Sequence, residues 1–186
     1  MQAKWFLNLW RFTGVLAVIL AWIVIAISIT YNPWFDLFKH ALSDLGDLGM
    51  ANNPWIYNTG LIVTGVVTCI YSLYLAYRSI NKVHVFASAL IFVAGIFLSL
   101  IGVFPSGTRP HVFISTWFFI QIWLAMLATS IGMASESKTP HAMSLAILAI
   151  TGPIGAFIVK WPSVALLEIY GIVIINIYIV LLTRNF

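Results

Sequence analysis

Charged residues are scarce in this chain of 186 residues. Only 8% of the residues are Asp, Glu, Lys or Arg, whereas 62% are hydrophobic. A soluble domain carries about 25% charged residues, so the composition excludes an ordinary water-exposed surface. The hydrophobic residues recur in long blocks separated by short polar segments, which is typical of a chain that crosses a bilayer repeatedly.

Cysteine is almost absent, since Cys69 is the one cysteine of the sequence. A single cysteine excludes an intramolecular disulfide and a cysteine-based metal site. The formal net charge is +4, but the basic residues stand singly between apolar blocks and form no cluster. Membrane topology explains them better than nucleic-acid binding does, so we expect no nucleic-acid partner.

The apolar blocks predict an all-α, polytopic integral membrane protein whose six transmembrane helices form a bundle. The predicted spans are residues 10–30, 55–77, 83–104, 112–133, 142–159 and 163–182. Six spans of about 20 residues use nearly the whole length. We therefore expect residues 1–186 to form a single transmembrane domain.

Basic residues in the short loops predict the orientation of the bundle. If the N-terminus is cytoplasmic, six basic residues lie on the cytoplasmic side and three lie outside. The six are Lys4, Arg11, Arg78, Lys82, Lys138 and Arg184, and the three are Lys39, Arg109 and Lys160. Cytoplasmic loops carry the excess of Lys and Arg, so we expect a multi-pass protein of the cell membrane with both termini in the cytoplasm.

Residues 31–54 form the one long loop, which this orientation places outside. At about 100° per residue, residues 34–48 separate into an apolar half and a polar half, which predicts a short amphipathic helix at the membrane surface. The polar half contains His40, Ser43, Asp44 and Asp47. It either faces water or closes over the outer end of the bundle.

Carboxylates and imidazole in one cluster can coordinate a metal or transfer protons. The spacing of His40, Asp44 and Asp47 is not diagnostic of either role. A metal, a cofactor and an enzymatic activity therefore stay open at this stage.

Further polar residues could join this cluster from other segments. Arg109 can hold a phosphate or carboxylate with two hydrogen bonds, or it can serve only as an interface anchor, and His111 stands at the mouth of the fourth span. Glu168 lies about 9 Å along the sixth span, where an ionisable group usually faces a protein interior or cavity. Glu168 is either a neutral, hydrogen-bonded carboxyl or the partner of Arg109 or a histidine. Asn58 lies inside the second span, where interhelical hydrogen bonding is the commonest role.

Several short motifs resemble a known family. They are His40-Ala41-Leu42-Ser43-Asp44-Leu45-Gly46 after the first span, Asn58 and Gly65 in the second, and Gly102-Val103-Phe104-Pro105 followed by His111. The chain resembles the prokaryotic membrane proteins grouped as domain of unknown function 998, which are similar to the eukaryotic Frag-like and DRAM-like six-helix proteins. The resemblance implies a six-helix bundle with polar family positions on the outer side, carried here by His40, Ser43, Gly46, Asn58 and His111. It implies no established reaction, but some eukaryotic relatives are linked to lipid remodelling or retention.

Two functions are compatible with these features. In the first, an outer-side polar pocket binds a lipid headgroup or a small anionic ligand, with processing of that ligand left open. Ser43, three residues from His40, is the nearest approach to a nucleophile–base pair. In the second, the chain is an accessory or structural subunit of a larger membrane complex, because its short loops and abundant aromatic residues suit packing against other helices. Its partners would be membrane lipids and, in the second case, other membrane subunits.

Overall fold

The computed structural model describes residues 9–186 and contains six α-helices within that range. Each of the six is long and apolar enough to cross a membrane, which confirms the predicted six-helix membrane bundle. The protein is therefore a multi-pass integral membrane protein in contact with lipid. The helices are α1 Thr13–Tyr31, α2 Pro54–Arg78, α3 Lys82–Val103, α4 His111–Ser135, α5 Thr139–Ile158 and α6 Val164–Asn185.

The helices form a ring in chain order. Each helix packs against the next one, and α6 also contacts α1, which closes the ring. The connections 32–53, 104–110 and 159–163 meet at one end, which we call the first-loop end. Helices α2 and α3 approach closely at two facing glycines: a Cβ on Gly95 would lie 2.8 Å from the carbonyl oxygen of Gly65. Small residues permit such close backbone contact between membrane helices.

Helix α5 continues through Pro153. Proline has no amide hydrogen, so the carbonyl of Ala149, four residues earlier, loses its partner within the helix. The indole Nε1 of Trp123 on α4 donates a hydrogen bond to this carbonyl. Two residues further on, the hydroxyl of Tyr170 on α6 donates to the carbonyl of Thr151 at 2.6 Å. Neighbouring helices thus supply the hydrogen bonds that keep α5 intact in an apolar setting.

The first loop differs from its prediction. Residues 34–48 do not form one amphipathic helix, because turns and irregular backbone precede the helical part, which is a 3-10 helix, Leu42–Gly46. The predicted apolar contacts are present in part. Leu42 and Leu45 are 1% and 0% exposed, whereas Phe38 is 63% exposed. The loop is therefore an irregular cap that inserts its 3-10 helix into the bundle.

The opposite end of the bundle carries an ion pair close to a buried histidine. Lys138 Nζ lies 2.9 Å from a carboxylate oxygen of Glu136, in the connection between α4 and α5. The other Glu136 oxygen lies 3.3 Å from Nε2 of His84, whose ring is 2% exposed and packs edge-on against Phe186. The hydrogen bond from Lys138 lowers the pKa of the Glu136 carboxyl below its usual value of 4.5, against the opposing effect of partial burial.

Candidate functional site

A buried asparagine closes the first loop at its base. Asn32 is 1% exposed and donates from Nδ2 to the carbonyls of Ser28 and Asn52, at 2.8 and 3.2 Å. Its Oδ1 accepts from the Asn52 amide at 2.6 Å and from the Trp34 indole at 3.0 Å. The two ends of the loop are joined through this one side chain. Asn32 is not among the site residues predicted from the sequence, although an asparagine before a proline is a common turn signal.

His40 lies inside the loop and not in a shared site. Its Nδ1 accepts a hydrogen bond from the Asp36 amide at 2.9 Å, and its ring contacts Trp34 and Phe35 with centroids 5.1 and 5.8 Å apart. Within residues 9–186 no hydrogen bond joins His40 to Ser43. The nearest approach to a nucleophile–base pair in the sequence is therefore not a hydrogen-bonded pair in the structure.

Asp44 and Asp47 hold the loop backbone. Asp44 Oδ2 accepts from the Ala41 amide at 2.8 Å, and its Oδ1 accepts from the Ser106 hydroxyl at 3.3 Å. Asp47 Oδ1 accepts from the amides of Gly49 and Met50, at 2.7 and 3.1 Å. Among the described residues no group of three or more His, Cys, Asp or Glu side chains is placed to hold a metal ion. Both aspartates act as caps for turns.

Asn58 anchors the 3-10 helix to α2. Its Nδ2 donates to the Gly46 carbonyl at 2.9 Å. A Cβ on Gly46 would collide with Asn58 Oδ1 and would lie 2.9 Å from the ring of Tyr57. Only glycine lets the loop approach α2 this closely.

The N-cap residue and the first two turns of α6 bind the other side of the loop. The Ser163 hydroxyl donates to the Leu37 carbonyl at 2.6 Å, and the Ala165 amide donates to the His40 carbonyl at 2.9 Å. Glu168 Oε2 accepts from the amide of Leu42 at 2.7 Å. This amide begins the 3-10 helix, so Glu168 caps that helix from a different part of the chain.

Glu168 has a backbone partner. Its direct hydrogen bond runs to a backbone amide, and the predicted direct bond to Arg109, His111 or His40 is not among its contacts with the described residues. Arg109 is exposed and makes no ion pair with the part of the chain that the structure describes. A backbone amide satisfies a buried carboxyl oxygen by hydrogen bonding, without a second charge.

His111 begins α4 and is 7% exposed. Its Nδ1 lies 2.9 Å from the carbonyl oxygen of Phe104. A carbonyl only accepts, so Nδ1 carries the proton, and Nε2 is an acceptor in the neutral ring. Nε2 makes no hydrogen bond to residues 9–186.

One continuous cavity of about 110 Å³ runs along the inside of the ring. At the first-loop end it is lined by Ser43, Tyr57, His111 and Glu168. Glu168 and Ile179 both line it and are eleven residues apart on α6, about 16 Å at 1.5 Å per residue. The cavity is therefore a long, narrow space, which we call the tunnel.

A family model described as Protein of unknown function (DUF998) matches residues 15–185. The chain belongs to this family. No curated protein and no solved structure matches it. The five positions implied by the resemblance all lie at the first-loop end of this DUF998 protein, where Ser43 and His111 line the tunnel and His40, Gly46 and Asn58 shape the loop.

Most of the tunnel wall in this DUF998 protein has no free hydrogen-bonding group. Where the wall is polar, Thr64 and Thr68 bond to carbonyls of their own helix, and Tyr71 bonds to Thr183. The amide of Asn176 is satisfied by Ile172 and by the Trp22 indole when its two ends are oriented to match their neighbours.

The first-loop end of the tunnel is different. Four polar groups there make no hydrogen bond to residues 9–186: the Ser43 and Tyr57 hydroxyls, His111 Nε2 and Glu168 Oε1. Buried polar groups are usually paired, so unpaired groups at one end of an apolar tunnel indicate where a ligand's polar part would bind.

Proposed function

We propose that this DUF998 protein binds a lipid-like molecule, with its hydrocarbon chain in the tunnel and its polar head at the first-loop end. The observation that carries the proposal is the placement of four unpaired polar groups at one end of an otherwise apolar tunnel. An elongated apolar space with a polar end matches the shape and polarity of a single-chain amphiphile. Ligand sites are mostly apolar with a few convergent polar groups.

The chemistry of the polar end favours a neutral or amine-bearing head over an anion. The one ionisable carboxyl on the tunnel wall is Glu168, which would repel a bound phosphate or carboxylate when ionised. Arg109, the residue best suited to an anion, is exposed and does not line the tunnel. Hydroxyl or amine groups of a ligand could donate to Glu168 Oε1 and His111 Nε2.

The volume of the tunnel supports one chain and not two. A volume of about 110 Å³ that extends over about 16 Å leaves a narrow cross-section, which suits a single chain. The proposal concerns binding, since within residues 9–186 no hydrogen bond links Ser43 to a base.

We also propose the orientation that follows from the basic residues. The first-loop end would face outward and both termini would lie in the cytoplasm of a cell-membrane protein, because the sequence predicts six basic residues on the cytoplasmic side and three outside. The ligand would then be drawn from the outer leaflet.

Filling the tunnel with a larger side chain tests the proposal. Ala21 lines the tunnel, whereas Ala26 on the same helix is exposed on the opposite face. Wild-type protein, Ala21→Phe and Ala26→Phe would be purified in a mild detergent and measured by native mass spectrometry. We expect a co-purifying lipid on the wild type and on Ala26→Phe, and its loss from Ala21→Phe.

Arg109→Ala serves as a second control, and it should retain the lipid if the head is not anionic. Equal lipid occupancy in the Ala21→Phe and Ala26→Phe proteins would contradict binding in the tunnel. Stoichiometric protein subunits without a lipid would instead favour the role of an accessory subunit in a larger membrane complex.

A further inference from the structure

The tunnel ends at a tyrosine that crosses the bundle. Tyr71 lines the tunnel and is 0% exposed. It lies fourteen residues after Tyr57 on α2, about 21 Å further along the helix axis, so it stands at the end remote from Ser43 and Glu168. Its ring covers Gly14 of α1, where an added Cβ would lie 2.7 Å from the ring carbons.

We call Tyr71 the floor of the tunnel, and residues of three helices contact it. The Tyr71 hydroxyl bonds to Thr183 Oγ1 of α6 at 3.1 Å, and the ring stacks against Tyr74 with centroids 6.4 Å apart. The Tyr74 hydroxyl donates to the carbonyl of Phe186. A ring fixed by α1, α2 and α6 cannot move aside without breaking these contacts.

We infer that Tyr71 sets the longest hydrocarbon chain that the tunnel accepts, so the ligand class is a single-chain amphiphile of limited length. The inference rests on the proposed function, because it concerns the same tunnel. A bilayer is as apolar as the tunnel wall, so a longer chain gains little by moving from one to the other. A chain that is too long must either overpack the tunnel or pull its head away from Glu168 and His111.

The length limit can be measured directly. The protein would be placed in phosphatidylcholine nanodiscs with an equimolar mixture of saturated monoacylglycerols of increasing chain length. Bound species would be counted by native mass spectrometry. We expect the wild type to disfavour chains beyond a cutoff by about 5- to 150-fold, the range typical of an overpacked apolar site.

Substitutions should move the cutoff in both directions. Tyr71→Leu removes the floor and should admit longer chains, whereas Tyr71→Phe keeps the ring and should leave the cutoff unchanged. Tyr77→Leu removes an exposed ring on the same helix that does not line the tunnel, so it is the matched control. Ala17→Leu adds bulk to the tunnel wall on α1 and should shorten the accepted chain, which tests the idea even if Tyr71→Leu does not fold.

The outcomes separate this inference from the function on which it rests. No binding of any monoacylglycerol by the wild type, together with no co-purifying lipid, contradicts the proposed function itself. Binding without a length cutoff, or a cutoff that neither Tyr71→Leu nor Ala17→Leu moves, overturns the role of Tyr71 alone. A cutoff that moves equally in Tyr77→Leu also overturns it.

Discussion

Replacement of Glu168 tests how the first loop is held on the bundle. Glu168 Oε2 accepts from the Leu42 amide at 2.7 Å, and the other oxygen makes no bond to the described residues. Glu168→Leu leaves that amide unpaired in a part-buried position. An unpaired buried donor costs about 1–3 kcal/mol. Glu168→Gln keeps an amide oxygen that can accept the same bond, so it should cost at most about 1 kcal/mol.

Thermal unfolding of the purified protein measures these differences. For a chain of this size, 1 kcal/mol shifts Tm by about 2–4 °C. We therefore expect Glu168→Leu to lower Tm by about 2–12 °C and Glu168→Gln to lower it by no more than about 4 °C. Ser163→Ala removes the neighbouring hydrogen bond to Leu37 and leaves the Glu168 bond in place. Its change in Tm therefore shows the effect of losing one other hydrogen bond between the loop and α6.

Hydrogen–deuterium exchange adds a local readout. The amide of Leu42 should exchange faster in Glu168→Leu and near the wild-type rate in Glu168→Gln. If both substitutions lower Tm and raise exchange equally, the negative charge and not the hydrogen bond holds the loop. If Glu168→Leu changes neither quantity, the bond to Leu42 contributes nothing measurable and the reasoning fails.

Three further predictions follow from the loop, the orientation and the opposite end. Gly46→Ala should lower stability by about 1–3 kcal/mol through overpacking, whereas Gly49→Ala, whose added Cβ would meet its nearest atom at an ordinary 3.4 Å, should be nearly neutral. Reporter fusions at positions 47 and 108 should report the outside, and fusions at 80 and 138 the cytoplasm; the reverse pattern would invert the proposed topology. The lowered pKa of Glu136 means that its ion pair stabilises the fold above pH 4.5 and less so as the pH falls through the lowered value. The stability lost on acidification should be under about 1 kcal/mol for so exposed an ion pair. Unfolding measured across that pH range should show this loss in the wild type and not in Glu136→Gln.

The six helices could be predicted because one strong constraint fixes them. In a membrane each backbone group must find a partner within the protein, so long apolar segments become helices. The predicted span 10–30 corresponds to α1 Thr13–Tyr31, and the span 163–182 corresponds to α6 Val164–Asn185. Hydropathy alone was enough to predict these helices.

The first loop could not be predicted in the same way. Residues 34–48 have the apolar spacing of a helix, but Asp, Ser and Gly within them favour turns, because their side chains compete for backbone amides or permit unusual backbone angles. The contact between Glu168 and Leu42 joins residues 126 positions apart. No spacing within a segment indicates such a contact. The depth of Glu168 did indicate that it would face the interior, and it lines the tunnel.

The acidic residues show what the loop requires. The chain has five, and four of them accept hydrogen bonds from backbone amides of the first loop. Asp36 accepts from Phe38, Asp44 from Ala41, Asp47 from Gly49 and Met50, and Glu168 from Leu42. A largely irregular loop leaves many amides unpaired, and near a bilayer water cannot be relied on to satisfy them.

This use of the carboxylates weakens an acid–base or metal role for Asp44 and Asp47, since their oxygens already hold the fold. It also distinguishes Glu168. Its Oε2 completes the loop, while its Oε1 stays unpaired within the described residues and belongs to a side chain on the tunnel wall. The Glu168 carboxyl therefore both stabilises the loop and lies at the polar end of the tunnel. A ligand that bonds to Oε1 would meet a carboxyl whose position is already fixed by its bond to the loop.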